Sequence, residues 1–128
     1  MAGGIIAGEQ GLIDEPIARK PGSIVEREVS PGGKDALTGF RVLKFLPKIN
    51  ATVVEVVAET GRTHQIRVHM SHVGHPLLGD SLYGGDCTHI NRQALHLHSL
   101  SFAHPGTGKK VVLKSSLPDD MAGLVGDM

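Results

Sequence analysis

The apolar and polar positions change period along this chain, and the changes mark its elements. Over 52–59 the alternation is strict: Val53, Glu55, Val57 and Glu59 fall on one face of an extended strand, Thr52, Val54, Val56 and Ala58 on the other. The second face is predicted to be buried. Just upstream, Leu37–Leu46 is rich in strand formers (Phe40, Val42, Leu43, Phe45, Leu46) and ends at Pro47. Pro47-Lys48-Ile49-Asn50 between the two strands fits a hairpin connection. At Gly61 the period becomes helical, with Ile66, Met70 and Val73 at i, i+4, i+7. Thr63 is the expected N-cap and Gly74 the expected stop, which predicts a helix of about three turns over 64–73, closed off by Pro76.

The flanking segments are less regular. Gly11, Pro16 and Pro21 punctuate 8–21, which is expected to be extended and looping. Residues 23–29 (Ser-Ile-Val-Glu-Arg-Glu-Val) read as a short strand and Ser30-Pro31-Gly32-Gly33 as a turn. A glycine-rich loop over 79–85 leads to a second β unit, 93–103 and 109–114 joined by a turn at Pro105-Gly106-Thr107-Gly108, with a short terminal segment from Pro118. No repeat and no linker divides the chain. The class is α+β, a mostly antiparallel mixed sheet with one helix over 64–73.

Composition narrows the picture only modestly. At 128 residues, 40% hydrophobic and 20% charged, the chain has the balance of a small globular domain. No apolar run approaches the roughly 20 residues of a membrane span, and the start lacks a secretory signal; a cytoplasmic location and no membrane partner are expected. Thirteen basic residues cancel thirteen acidic ones, so any nucleic acid must be held by a local basic site. Eight histidines come with a single cysteine, Cys87, and no His-Glu-x-x-His pattern, so no metal site is expected.

The densest chemistry lies in Gly61-Arg62-Thr63-His64-Gln65-Ile66-Arg67-Val68-His69, where a strand hands over to a helix. Outward backbone N–H groups and two guanidinium groups suit an anionic ligand there; a capped surface helix with exposed arginines is the equally simple alternative. This block, with Gly74-His75-Pro76-Leu77-Leu78-Gly79-Asp80 and Tyr83-Gly84-Gly85, resembles the signature of the RluA-type RNA pseudouridine synthases. Further blocks agree in order: 11–19, 33–38, 92–96, 100–105 and 117–121.

The resemblance implies a pseudouridine synthase fold, with 1–128 as the C-terminal part of the catalytic domain. It implies an isomerase that breaks the N-glycosidic bond of uridine in RNA and rejoins the base through carbon, without metal or cofactor. The implied RNA is ribosomal first and transfer RNA second. The family's aspartate lies in a His-Arg-Leu-Asp segment followed by a Lys-x-Tyr segment, and neither occurs in these 128 residues. The chain alone is therefore expected to be inactive, and the alternative is a catalytically silent RNA-binding module. Arg67 corresponds to the arginine that pairs with the missing aspartate, so here it is expected to face solvent or an adventitious anion. Leu95 and Leu100 are expected to line the uracil pocket; Arg19, Lys34, Arg62, Thr63, His64 and Gln65 are expected to meet RNA. A sheet lacking its upstream strands also predicts self-association.

Overall fold

A computed structural model describes residues 1–97, 99–103, 106–107, 109–114 and 116–125, with the backbone alone for 99–103 and 110–114. These residues form eight strands and two helices. Their order is β1 (Ala2–Gly3), β2 (Gln10–Asp14), β3 (Ile17–Arg19), β4 (Arg27–Val29), β5 (Leu37–Leu46), β6 (Ala51–Ala58), α1 (Gln65–His72), β7 (Ser99–Ala103), β8 (Lys110–Lys114) and α2 (Asp119–Val125). A 3-10 turn, Ser81–Tyr83, follows α1. Every strand pair is antiparallel, as the α+β reading required. The chain divides into two compact units, 1–94 and 95–127, a division that no compositional break announces.

In the first unit, a four-stranded sheet of order β1-β6-β5-β2 is built on the β5–β6 hairpin. Its register runs from Thr38↔Ala58 to Leu46↔Ala51, with a bulge between Val42 and Lys44. The hairpin turns where Pro47 ends β5, and Asn50 takes the positive φ of 48° that the turn requires; asparagine tolerates this region better than most residues. Along β6, Thr52, Val54 and Val56 are the better buried face, while Glu55 and Val57 are exposed.

Residues 8–21, expected to be extended and looping, supply β2 and β3 as their extended parts. Gly11 does not break β2, because a Cβ there would stand 2.7 Å from Phe40 Cζ. The missing side chain makes room for the cross-strand ring, since Gly11 pairs with Phe40. The strand expected over 23–29 is confined to 27–29. Ser23 Oγ accepts the N–H groups of Val25 (3.3 Å) and Glu26 (3.0 Å), a local turn that delays the strand.

Helix α1 begins one residue later than Thr63 as N-cap would place it. His64 is its N-cap, in left-handed conformation (φ 56°, ψ 22°) and without a side-chain cap. Its C-terminus follows the glycine rule: Gly74 has φ 90°, with Gly74 N–H donating to Ser71 O (3.0 Å) and His75 N–H to Met70 O (2.8 Å). The buried face is not the apolar stripe of the periodicity. Val73 is exposed, while Gln65, Val68, His69 and Met70 are buried. Two polar side chains go inward because both are fully bonded there. Gln65 Nε2 donates to Leu37 O (2.8 Å) and Thr38 Oγ1 (3.0 Å), and its Oε1 accepts from Thr60 Oγ1 (2.6 Å) and Arg62 N–H (3.1 Å). His69 bonds Thr38 Oγ1 through Nδ1 (2.7 Å) and Glu15 O through Nε2 (2.8 Å). A carbonyl accepts only, so Nε2 carries the proton and Thr38 donates to Nδ1.

In the second unit, β7 and β8 pair from Ser99↔Lys114 to Ala103↔Lys110. The turn expected at 105–108 lies partly outside the described residues. The terminal segment is a helix, α2, with Asp119 and Asp120 favourably placed in its first turn and Met121 and Val125 buried.

Candidate functional site

Helix α1, the loop after it and the β3–β4 hairpin converge on Arg67. The helix places Arg67 one turn beyond the strand-to-helix corner, and the loop brings Asp80 to it. Arg67 Nε donates to Asp80 Oδ2 (3.0 Å) and Nη2 to Asp80 Oδ1 (2.8 Å), a two-pronged pair. The Asp80 side chain is 1% exposed and that of Arg67 16%. Arg67 was expected to face solvent or an adventitious anion; its partner is instead a carboxylate of this chain. The Asp80 hydrogen bond is the main cause that raises the guanidinium pKa above its ordinary value, against an opposing contribution from burial.

Two glycines make that pairing geometric. Gly79 has φ 75°, and a Cβ on it would collide with the main-chain oxygen of Arg92. A Cβ on Gly85 would collide with that of Leu77. The loop closes on itself through Gly79 N–H to Asp86 O (2.8 Å) and Gly85 N–H to Asp80 O (2.8 Å). Asp80 is thereby pinned beneath α1.

Tyr83 is the hub of the cluster. Its ring lies 5.1 Å from the Arg67 guanidinium carbon, a cation–π contact, and edge-on to His64 with centroids 5.7 Å apart. Its hydroxyl accepts the Arg27 N–H (3.0 Å) and lies 2.7 Å from His64 Nδ1. With the backbone N–H as its donor, the hydroxyl is free to donate to an unprotonated Nδ1. Burial, then the positive charges of Arg67 and Arg27, lower the His64 pKa below its ordinary 6.5. The ring also packs on the core of Ile17, Ala36 and Val68, beside Val29.

The expected RNA-contacting residues separate. Arg19, Lys34, Arg62 and Thr63 line one groove of about 480 Å³, together with Arg27, Ile17, Ala18, Gly32, Gly33 and Gly61. His64 faces Tyr83 instead. Gln65 stands apart from the groove: it is 4% exposed and its amide is occupied by the four bonds given above, so in this structure it braces the corner. Leu95 and Leu100 belong to the second unit; Leu95 is half-buried, Leu100 lies on β7, and its side chain is outside the described residues. Asp80 and Arg27 were missed by sequence reasoning. Asp80 carried one signal, as the lone acid in the tightly glycine-bounded stretch 74–85.

A family model described as RNA pseudouridylate synthase matches residues 5–72. The chain is 50% identical over 122 residues to the uncharacterized RNA pseudouridine synthase YjbO of Bacillus subtilis (strain 168), covering 95% of this chain and 42% of that protein. It is 41% identical over 129 residues to ribosomal large subunit pseudouridine synthase D of Pasteurella multocida (strain Pm70), covering 90% and 39%. Among solved structures, human RNA pseudouridylate synthase domain containing 1 superposes with a TM-score of 0.78 at 27% identity, covering 96% of this chain and 54% of that one. The chain spans about two fifths of the length of these bacterial relatives.

Proposed function

Because this chain belongs to the RNA pseudouridylate synthase family, we propose that it is the C-terminal, Arg67-bearing part of a catalytic domain that isomerises uridine in RNA to pseudouridine. The observation that carries this reading is the state of Arg67. Asp80 takes its Nε and one Nη2 hydrogen, Tyr83 covers one face, and Nη1 has no partner among the described residues. A guanidinium so held presents its remaining hydrogens in a fixed direction. It suits a second carboxylate, the family's aspartate, which it would keep ionised. The product is an isomer of the substrate, so neither cofactor nor metal is consumed.

The target base must leave its stack to be rearranged, and Leu95 and Leu100 are proposed to line its apolar pocket. Ribosomal RNA is the proposed substrate class, supported by the similarity to synthases acting on the large ribosomal subunit, with transfer RNA second and the cytoplasm as the location. No helix among the described residues is long and apolar enough to cross a membrane. The 128 residues contain no His-Arg-Leu-Asp segment, so we expect them to be inactive alone.

Tritium release from uridine-labelled RNA tests the reading in the complete polypeptide that carries this sequence. Arg67→Ala should abolish release and Arg67→Lys should impair it strongly, with RNA affinity little changed and the fold checked by circular dichroism. A near-wild-type rate in Arg67→Ala would sink the assignment. No release by the complete polypeptide, with RNA still bound, would favour the silent RNA-binding module.

A further inference from the structure

In the β3–β4 ladder, Arg19 stands directly opposite Arg27. Like charges in register across an antiparallel pair destabilise it, and a third cation, Lys34, is bridged to the same strand. Ile17 N–H donates to Lys34 O and Lys34 N–H to Ile17 O, both at 2.9 Å. Gly33 permits this close approach, since a Cβ there would stand 2.5 Å from the Ile17 carbonyl carbon. Arg62 closes the far side, its Nε donating to Asp35 O (2.7 Å) with both Nη groups left over.

Nothing in the described residues neutralises this group. The ion pairs join Lys20 to Glu26, Arg41 to Glu55 and Arg67 to Asp80, and none involves Arg19, Arg27, Lys34 or Arg62. Glu26 is thus engaged elsewhere, and Glu28 alternates to the opposite face of the ladder from Arg27. Four cations gathered in one groove of a chain with zero net charge favour an anion from outside. At about 480 Å³, with bare glycine backbone at Gly32, Gly33 and Gly61, the groove is much larger than one phosphate requires.

We propose that this groove holds the sugar–phosphate backbone of the RNA, clamped between the Arg19–Arg27 cross-strand pair with Lys34 on one side and Arg62 on the other. The proposal rests on RNA being the substrate, and it assigns the Arg27 guanidinium, which makes no side-chain hydrogen bond to Arg67, Asp80 or Tyr83. The unfavourable pairing of Arg19 with Arg27 is relieved when phosphates lie over it, so binding and local stability are coupled.

The test is made in the complete polypeptide with a short single-stranded RNA titrated between about 50 and 200 mM salt. Arg19→Thr removes one cation while keeping a good strand former, and Lys34→Gln removes another outside the ladder. Each should weaken binding about three- to tenfold and make the slope of log K against log salt shallower by roughly 0.7, one single-strand phosphate contact. Arg19→Thr should melt no lower than the parent, because a like-charge pair has been removed. Should Arg19→Thr fail to fold, the stability argument falls and Lys34→Gln decides the binding claim. Unchanged affinity and slope in both variants would overturn the proposal, leaving the isomerase reading intact if tritium release persists. Weakened binding in a polypeptide that releases no tritium would leave the groove standing and remove the isomerase.

Discussion

Replacing Asp80 by Asn isolates the contribution of the Arg67–Asp80 pair, because shape is kept and charge is lost. Two unit charges about 4 Å apart attract by about 4 kcal/mol at an effective dielectric near 20. Removing one partner of a buried pair typically costs 3–5 kcal/mol, as the other charge is left uncompensated, whereas an exposed pair is worth about 0–1. Here Asp80 is 1% exposed and Arg67 16%, so the pair lies near the buried limit, eased by the edge through which Arg67 reaches water. Asn also keeps one oxygen to accept from Nε or Nη2. The expected loss is about 2–4 kcal/mol, a large part of the 5–15 kcal/mol typical of a domain. Urea unfolding of this chain and of Asp80→Asn, Arg67→Gln and the double variant, compared at equal m-values, gives the coupling energy. It should be about 2 kcal/mol or more. A coupling under about 0.5 kcal/mol would show a surface-type pair and refute the idea that Asp80 fixes the guanidinium.

Other consequences are as direct. Gly79→Ala would put a Cβ into the Arg92 main-chain oxygen at φ 75°, so thermal unfolding should show a loss of about 3 kcal/mol or more; a loss below 1 would mean that the loop can relax. Tyr83→Phe strips the Arg27 N–H of its acceptor and His64 Nδ1 of its hydroxyl partner, which should cost about 1–3 kcal/mol by the same measurement. With the His64 pKa lowered in the folded chain, the unfolded chain takes up that proton first. The stability tied to His64 is therefore complete above its ordinary 6.5 and declines as pH falls below it; NMR titration finding His64 at or above 6.5 would contradict this. Finally, Leu12 is 71% and Val57 52% exposed on a sheet whose edge strands are β1 and β2. Sedimentation of this chain at micromolar concentration should show self-association, and a sharp monomeric mass would count against it.

The parts legible in the sequence were the local ones. The β5–β6 hairpin followed from alternation and Pro47, the end of α1 from Gly74, and the chemical corner from the cluster around Arg62 and Arg67, because each depends on residues a few positions apart. Where a glycine served a distant contact, local reading failed: Gly11 looked like a breaker and is the gap that Phe40 fills. The same holds for the inward face of α1. Hydropathy selected Ile66, Met70 and Val73, but the acceptors and donors that make Gln65 and His69 good core residues come from β5, Thr60 and Glu15, which no helical periodicity can register.

The sequence by itself determined the α+β class, the hairpin, the position of α1 and, through its ordered motif blocks, the family. Tertiary structure alone decided that Arg67 is bonded to Asp80, that Gln65 is a brace, and that Arg27 stands across from Arg19. Residue type and spacing establish which groups a chain can offer. Which of them meet depends on backbone paths such as the Gly79–Gly85 loop and the β3–β4 register, where a shift of one residue would turn each strand side chain to the other face.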